Sequence, residues 1–210
     1  MALFADRRAA GRALAADLEN RRGTDAVVLG IPRGGVVVAA AVVAELGLPL
    51  DAVLVRKLGA TGHEEFAIGA IAEGVRIVTP DAVRWAGMTA GDVDDVENAE
   101  RGELARREDA YGAGSIDLAG RVAIVVDDGV ATGATAIAAC RALRARHPSR
   151  IVLAVPVAPD RWMPPADAAD EYVCPHREDD FWAVGQFYDD FAQTSDEEVV
   201  ALLQHHDLPS

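Results

Sequence analysis

Lysine is nearly missing from this chain. Lys57 is the only one, and 34 acidic residues against 20 Lys and Arg leave a formal net charge of −14 over 210 residues. An acidic balance of this size disfavours nonspecific attachment to nucleic acid or anionic lipid, so neither is expected as a partner, and any local cluster of cations gains meaning. Cysteine is scarce too. Cys140 and Cys174 make no disulfide framework and have no metal-ligand spacing, which points to a reducing compartment. The longest apolar run, Val36 to Ala44, is too short to span a bilayer, and Asp6, Arg7 and Arg8 precede no hydrophobic signal core. A cytoplasmic protein is the expectation. Also missing are an internal repeat, a low-complexity linker, a P-loop G-x-x-x-x-G-K-[ST] and a dinucleotide G-x-G-x-x-G after the first strand.

What is present is apolar. Half of the residues are hydrophobic and the mass is 22.1 kDa, enough for one α/β domain with a full core and a small appended lobe. The stretch from Val122 to Thr135 organises the rest. Five apolar, mostly β-branched residues run into Asp127 and Asp128, then a Gly/Thr-rich loop, then the alanine-rich segment Ala136 to Ala145. An unbroken apolar strand suits a parallel sheet buried on both faces, and such sheets bind ligands at the carboxyl ends of their strands. The acids fall at that end. The following loop offers backbone N–H groups at Gly129, Val130, Ala131, Thr132, Gly133, Ala134 and Thr135, with a helix N-terminus behind, which suits a phosphate. Two carboxylates repel a bare phosphate, so the ligand should present hydroxyls to the acids and phosphate to the loop. A ribose 5-phosphate has that polarity. The bland alternative is N-capping at an ordinary strand-to-helix turn.

Asp-Asp-Gly-Val-Ala-Thr-Gly-Ala-Thr behind such a strand resembles the phosphoribosyl-diphosphate (PRPP) signature of type I phosphoribosyltransferases. The resemblance implies a mainly parallel twisted α/β sheet flanked by helices, a flexible hairpin lid and a small C-terminal hood. It implies Asp127 and Asp128 on the ribose hydroxyls, residues 129 to 135 around the 5-phosphate, and Mg²⁺ held mainly through PRPP and water, with no protein metal ligands. PRPP and a small-molecule acceptor would be the partners, in a homodimer.

Along the chain, Leu3 to Leu18 reads as an amphipathic helix, Asp25 to Gly30 as a buried strand, and Val36 to Leu46 as a helix. Between the last two, Pro32 stiffens a turn in which Arg33, Gly34 and Gly35 could meet an anion. In the resembled family this loop binds pyrophosphate. Asp51 to Lys57 reads as the next strand, ending in Arg56 and Lys57; alternation would aim at most one of the two into a cleft. A solvated strand end explains them equally well, whereas the family places basic pyrophosphate ligands here. Gly59 to Glu65 reads as flexible and polar, and Phe66 to Val78 as a hairpin across Glu73 and Gly74. No role is assigned to His63, Glu64 or Glu65.

Asp92 to Tyr111 reads as a charged helix with the i,i+4 pairs Glu97/Arg101 and Glu103/Arg107. Arg106 and Arg107 are further candidates for reaching a phosphate. Strands are expected at Ile151 to Pro156 and Tyr172 to Cys174, and a terminal helix after Ser195 with Glu198 closing its capping box. Of eleven aromatic residues, five lie between Phe181 and Phe191. Phe181, Trp182, Phe187, Tyr188 and Asp189 could stack on a planar acceptor and accept its N–H groups. Alternatively the rings anchor the tail or a subunit contact.

Together with Arg33-Gly34-Gly35, Arg56-Lys57-Leu58-Gly59 and Ala67 to Ala72, the acid motif and Val184 to Phe191 resemble a bacterial group of stand-alone phosphoribosyltransferase-like proteins with undefined acceptors. The resemblance spans nearly the full chain, as one domain with its core at about residues 22–158 and a hood from about 159–210 plus the N-terminal helix. Ala131 stands where 6-oxopurine enzymes carry an Asp and adenine enzymes an Ala, which counts against hypoxanthine or guanine. The expected activity is Mg-dependent transfer of ribose 5-phosphate from PRPP to a nitrogenous acceptor. A non-catalytic PRPP- or nucleotide-binding regulator is the alternative.

Overall fold

The computed structural model describes residues 2–72 and 75–206, with all side chains in those spans except at positions 64, 65, 205 and 206. The chain opens with α1 (Arg7–Asp17), capped by the Asp6 carboxylate accepting from the Ala9 N–H at 2.7 Å. β1 (Val27–Gly30) follows, then α2 (Gly34–Leu46), which stops at Gly47 in the left-handed conformation. Next come β2 (Leu50–Ala52), β3 (Val55–Ala60), β4 (His63–Ala72) and β5 (Val75–Val78). The helices α3 (Pro80–Trp85) and α4 (Ala90–Tyr111) lead into β6 (Val122–Val126) and α5 (Ala134–Leu143). β7 (Arg150–Ala154), β8 (Val157–Pro159), β9 (Glu171–Val173), β10 (His176–Glu178) and α6 (Asp196–His206) complete the chain.

Five strands form a parallel sheet in the order β2-β1-β6-β7-β9. Successive side chains alternate between its faces, and both faces are apolar because helices cover each. Val28, Ile124, Val126, Val152 and Ala154 join one core cluster with α1 and α2, while Leu29, Ala123, Val125, Ile151 and Leu153 join another with α5. The pattern that suggests a doubly covered parallel sheet is therefore observed.

The run from Asp51 to Lys57 departs from expectation. It is split between two sheets: β2 pairs with β1, and β3 leaves to pair antiparallel with β4 in the order β3-β4-β5. The Asp51 carboxylate accepts from the Ala52, Gly114 and Ile116 amides, which fixes β2 in the parallel sheet. Gly62, at φ 77°, makes the reversal that gives β3 its partner. Gly59 to Glu65 is consequently strand and tight turn where a polar loop was expected. β4 and β5 pair as the expected hairpin, with Ala72 opposite Val75; the connecting Glu73 and Gly74 lie outside the described residues.

The small sheet packs against α4 and α5. Arg56 to Glu100 at 2.6 Å and Arg76 to Glu97 at 2.5 Å tie it to α4, where Glu97/Arg101 and Glu103/Arg107 pair as expected. α4 starts at a Thr89/Asp92 capping box, and Ser195 Oγ accepts from the Glu198 N–H at the start of α6.

Candidate functional site

β1 is flanked by β2 on one side and β6 on the other, so the order in which the chain adds strands to the sheet reverses between β1 and β6. A crevice opens at the carboxyl ends of two strands whose connections diverge in this way. Pro32 to Gly35 leaves β1 there, and Asp127 to Thr135 leaves β6. The two segments touch. A Cβ on Gly35 would lie 2.6 Å from the Val126 carbonyl oxygen and 2.9 Å from the Asp127 Cα, and one on Gly34 would strike the Asp128 carboxylate and come within 2.7 Å of Arg7 Nε. Both glycines are thus required by close approach to the acid pair. The peptide between Pro32 and Arg33 is cis.

Asp127 Oδ1 accepts the Asp128 N–H at 2.9 Å, and Asp128 Oδ2 accepts from Arg7 Nε at 2.8 Å. Among the described residues no hydrogen bond reaches the other oxygen of either acid. Burial pushes the Asp127 carboxyl well above the ordinary aspartate range, and the neighbouring Asp128 charge adds to the rise. Burial also raises Asp128, while the Arg7 hydrogen bond and charge oppose it.

The loop behind the acids is shaped by two side chains that no sequence pattern signalled. Gly133, at φ 79°, sits under the Trp162 indole, whose Nε1 donates to the Thr132 carbonyl at 3.1 Å. A Cβ on Gly129 would lie 2.6 Å from Val184 Cγ1. The Val130 N–H is already committed to the Val157 carbonyl, whereas Ala131 and Thr132 are exposed and α5 begins at Ala134, where first-turn amides have no intrahelical acceptor. The accessible part of the loop is therefore Ala131, Thr132, Ala134 and Thr135, with Gly133 covered by the indole.

Next to it lies a cleft of about 570 Å³, lined by Pro32, Arg56, Lys57, Thr61, Arg107 and Thr135 among others. Of the basic residues singled out from the sequence it holds Arg56, Lys57 and Arg107, and not Arg33 or Arg106. Arg56 and Lys57 both line the cleft, from β3 of the small sheet and not from the end of a core strand. Arg106 points elsewhere, to Glu103 at 2.9 Å and Asp196 at 3.2 Å, so only Arg107 of that pair lines the cleft. Arg33 Nη1 lies 3.9 Å from Asp196 Oδ1, facing the first turn of α6.

The aromatic tail divides. Phe187 and Tyr188 are buried with Phe4 in a third apolar cluster, and Phe181 stacks on Phe187 at 5.0 Å, which is the anchoring role. The Asp189 N–H donates to the Phe4 carbonyl. Trp182 is 84 % exposed. Tyr188 Oη donates to the Asp128 carbonyl at 2.5 Å, so one of these rings does reach the acid pair, through its hydroxyl.

An α/β protein with two adjacent carboxylates and a glycine- and threonine-bearing loop at the sheet's switch point is thereby defined. The chain belongs to the phosphoribosyl transferase domain family, whose model matches residues 4–192. It is 49% identical over 214 residues to Rv0571c of Mycobacterium tuberculosis (strain H37Rv), which is provisionally named a phosphoribosyl transferase; the match covers 99% of this chain and 48% of that protein. The chain thus spans about half the length of the curated relatives it matches. The crystal structure of TT1426 from Thermus thermophilus superposes with a TM-score of 0.80 at 40% identity, covering 97% of this chain and 98% of that one. A hypothetical protein from Neisseria gonorrhoeae, solved with bound ppGpp, shares the fold at 16% identity and a TM-score of 0.51, covering 95% and 92%. Among the described residues no helix is long and apolar enough to cross a membrane, and no group of three or more His, Cys, Asp or Glu side chains is placed to hold a metal ion.

Proposed function

We propose that the protein transfers ribose 5-phosphate from PRPP to a nitrogenous small-molecule acceptor and releases pyrophosphate. The observation that carries this is the acid pair: each carboxylate keeps one oxygen with no hydrogen bond among the described residues, beside a loop with accessible amides and a cleft lined by cations. Two vicinal sugar hydroxyls need two acceptors, and a 5-phosphate and a diphosphate need the other two surfaces. Ala131 to Thr135 would take the 5-phosphate. Arg33, Gly34, Gly35, Arg56 and Lys57 would take the diphosphate, joined by Arg107.

In the reaction the C1–O bond to diphosphate breaks, a C1–N bond to the acceptor forms, and the acceptor nitrogen gives up its proton to water or to the departing diphosphate. Positive charge develops on the sugar and negative charge on the departing diphosphate. Asp127 and Asp128 fix the hydroxyls and favour the cationic ring, and the cleft cations stabilise the leaving group. Mg²⁺, which family membership implies, would add charge stabilisation at the diphosphate. With no ligand cluster of the protein's own among the described residues, it would ride on diphosphate oxygens and water. The N-terminal helix and residues 159–206 would form the hood over the acceptor, the rest of the expected hood, 207–210, lying outside the described residues, and the exposed Ala131 disfavours 6-oxopurines. A homodimer is the assembly we expect.

The test is pyrophosphate release from PRPP and Mg²⁺ with a panel of nitrogenous bases. Release with at least one base is expected. Tight PRPP binding without release from any would assign the chain to the non-catalytic regulators.

A further inference from the structure

Arg7 is the group that the functional reading leaves without a role. Its guanidinium comes from α1, donates from Nε to Asp128 Oδ2 at 2.8 Å and from Nη1 to the Ala192 carbonyl at 2.8 Å, and lies 3.8 Å over the Phe191 ring. Its side chain is only 12% exposed. Gly34 makes room for it, since a Cβ there would meet Arg7 and Asp128 together. The N-terminal helix, the β1 loop and the tail thus converge on one carboxylate.

We propose that Arg7 is a positioning residue for the sugar-binding acids: it occupies one oxygen of Asp128 and so presents the other, beside the open oxygen of Asp127, to a pair of vicinal hydroxyls. The inference rests on the PRPP reading above. With Asp127 Oδ1 engaged by the Asp128 amide and Asp128 Oδ2 by Arg7, one acceptor per acid remains, which matches the two donors of a ribose. Arg7 also supplies the counter-charge. Among the described residues the charged and titratable groups facing Asp128 are Asp127, Arg7 and the Tyr188 phenol; the β1 loop meets it through Gly34, its Arg33 facing Asp196. Without Arg7, two crowded carboxylates would share a proton more readily, and a protonated carboxyl donates where an acceptor is needed.

The test compares wild type with Arg7→Met, Arg7→Gln and Arg7→Lys by calorimetric titration with PRPP and, separately, with pyrophosphate, both with Mg²⁺, at pH 6 and pH 8. Arg7→Gln keeps a polar side chain but has neither the charge nor the two-armed reach of the guanidinium, so it covers the case in which Arg7→Met fails to fold. Expected are at least a tenfold weaker PRPP affinity for Arg7→Gln, a larger loss at pH 6 than at pH 8, and affinity within threefold of wild type for Arg7→Lys. Pyrophosphate, which lacks the sugar, should bind all four proteins alike. Equal weakening of both ligands would overturn the inference in favour of a general hood pin, as would PRPP binding by Arg7→Gln within twofold of wild type at both pH values. If wild type binds pyrophosphate but not PRPP, or neither, the sugar-site reading falls and this inference with it.

Discussion

Arg7 Nε and Asp128 Oδ2 meet at 2.8 Å across 121 residues of chain, with the two side chains 12% and 15% exposed. Helix α1 is thereby fastened to the acid pair at the mouth of the central strand. The contact sets a cation against one of two adjacent half-buried carboxylates, and among the described residues no cation is hydrogen-bonded to Asp127.

That imbalance has a measurable cost. A carboxyl whose folded pKa is raised binds its proton more tightly in the native state than in the unfolded chain, so stability falls as pH rises from the unfolded value through the folded one. Asp127→Asn keeps the acceptor for the Asp128 N–H and removes the charge. For a chain this size about 1 kcal/mol moves the melting temperature by about 2–4 °C. The variant should melt at least about 2 °C above wild type at pH 7.5, with the gap closing toward pH 4, while PRPP binding is lost. An unchanged or lower melting point at pH 7.5 would contradict the electrostatic account.

Gly35→Ala places a methyl 2.6 Å from the Val126 carbonyl oxygen and 2.9 Å from the Asp127 Cα. Both obstacles are backbone and cannot swing aside. A loss of about 1–3 kcal/mol is expected from overpacking, together with weakened pyrophosphate binding as the β1 loop is pushed off β6. Urea unfolding and pyrophosphate titration read the two effects separately.

Gly133→Ala meets two obstacles at once, a left-handed φ of 79° and the Trp162 ring. The backbone conformation alone costs about 1–2 kcal/mol. In a Trp162→Ala background the ring is gone and only the φ cost remains, so the glycine substitution should be less destabilising there. Equal costs in the two backgrounds, measured as a double-mutant cycle, would show that the indole does not pack as described.

Tyr111→Phe deletes the 2.6 Å hydrogen bond from Tyr111 Oη to Asp196 Oδ1 that ties α4 to α6. Tyr111 itself is pushed up to about 12, by burial first and by the Asp196 hydrogen bond second. A bond to a charged but partly exposed acceptor should contribute about 1–2 kcal/mol. Asp196 is held below the ordinary aspartate range by that bond and by Arg106. Its contribution is therefore present at neutral pH and lost as pH falls below the unfolded aspartate value of about 4. Chemical denaturation at pH 7 and pH 3 should show the difference shrinking in acid.

The parallel sheet, the acid pair and its loop are legible in the sequence because each is local. Val122 to Val126 is apolar at every position, and Asp127 to Thr135 carries its loop chemistry in nine consecutive residues. The cap at Ser195 and the pairs on α4 are equally readable, being three and four residues apart. The split of Asp51 to Lys57 is not, since a short apolar run looks the same whether one sheet or two share it; the choice depends on where β1 and β4 offer partners. Arg7, Trp162 and Val184 escape a reading of the sequence for a related reason. An arginine on the polar face of a helix and a tryptophan among prolines carry no periodic mark, and their contacts with Asp128, Gly133 and Gly129 exist only once the chain has closed on itself. The tail's rings can be read as stacking platform or anchor from composition alone, and burial of Phe187 and Tyr188 decides for the anchor at those two positions.

The most direct measurement is a crystal structure with PRPP and Mg²⁺ bound. The account predicts the ribose 2′- and 3′-hydroxyls within hydrogen-bond distance of Asp127 Oδ2 and Asp128 Oδ1, the 5-phosphate against the amides of Ala131 to Thr135, and the diphosphate in the cleft beside Arg56 and Lys57. A sugar bound away from both carboxylates, with Arg7 still on Asp128, would contradict it.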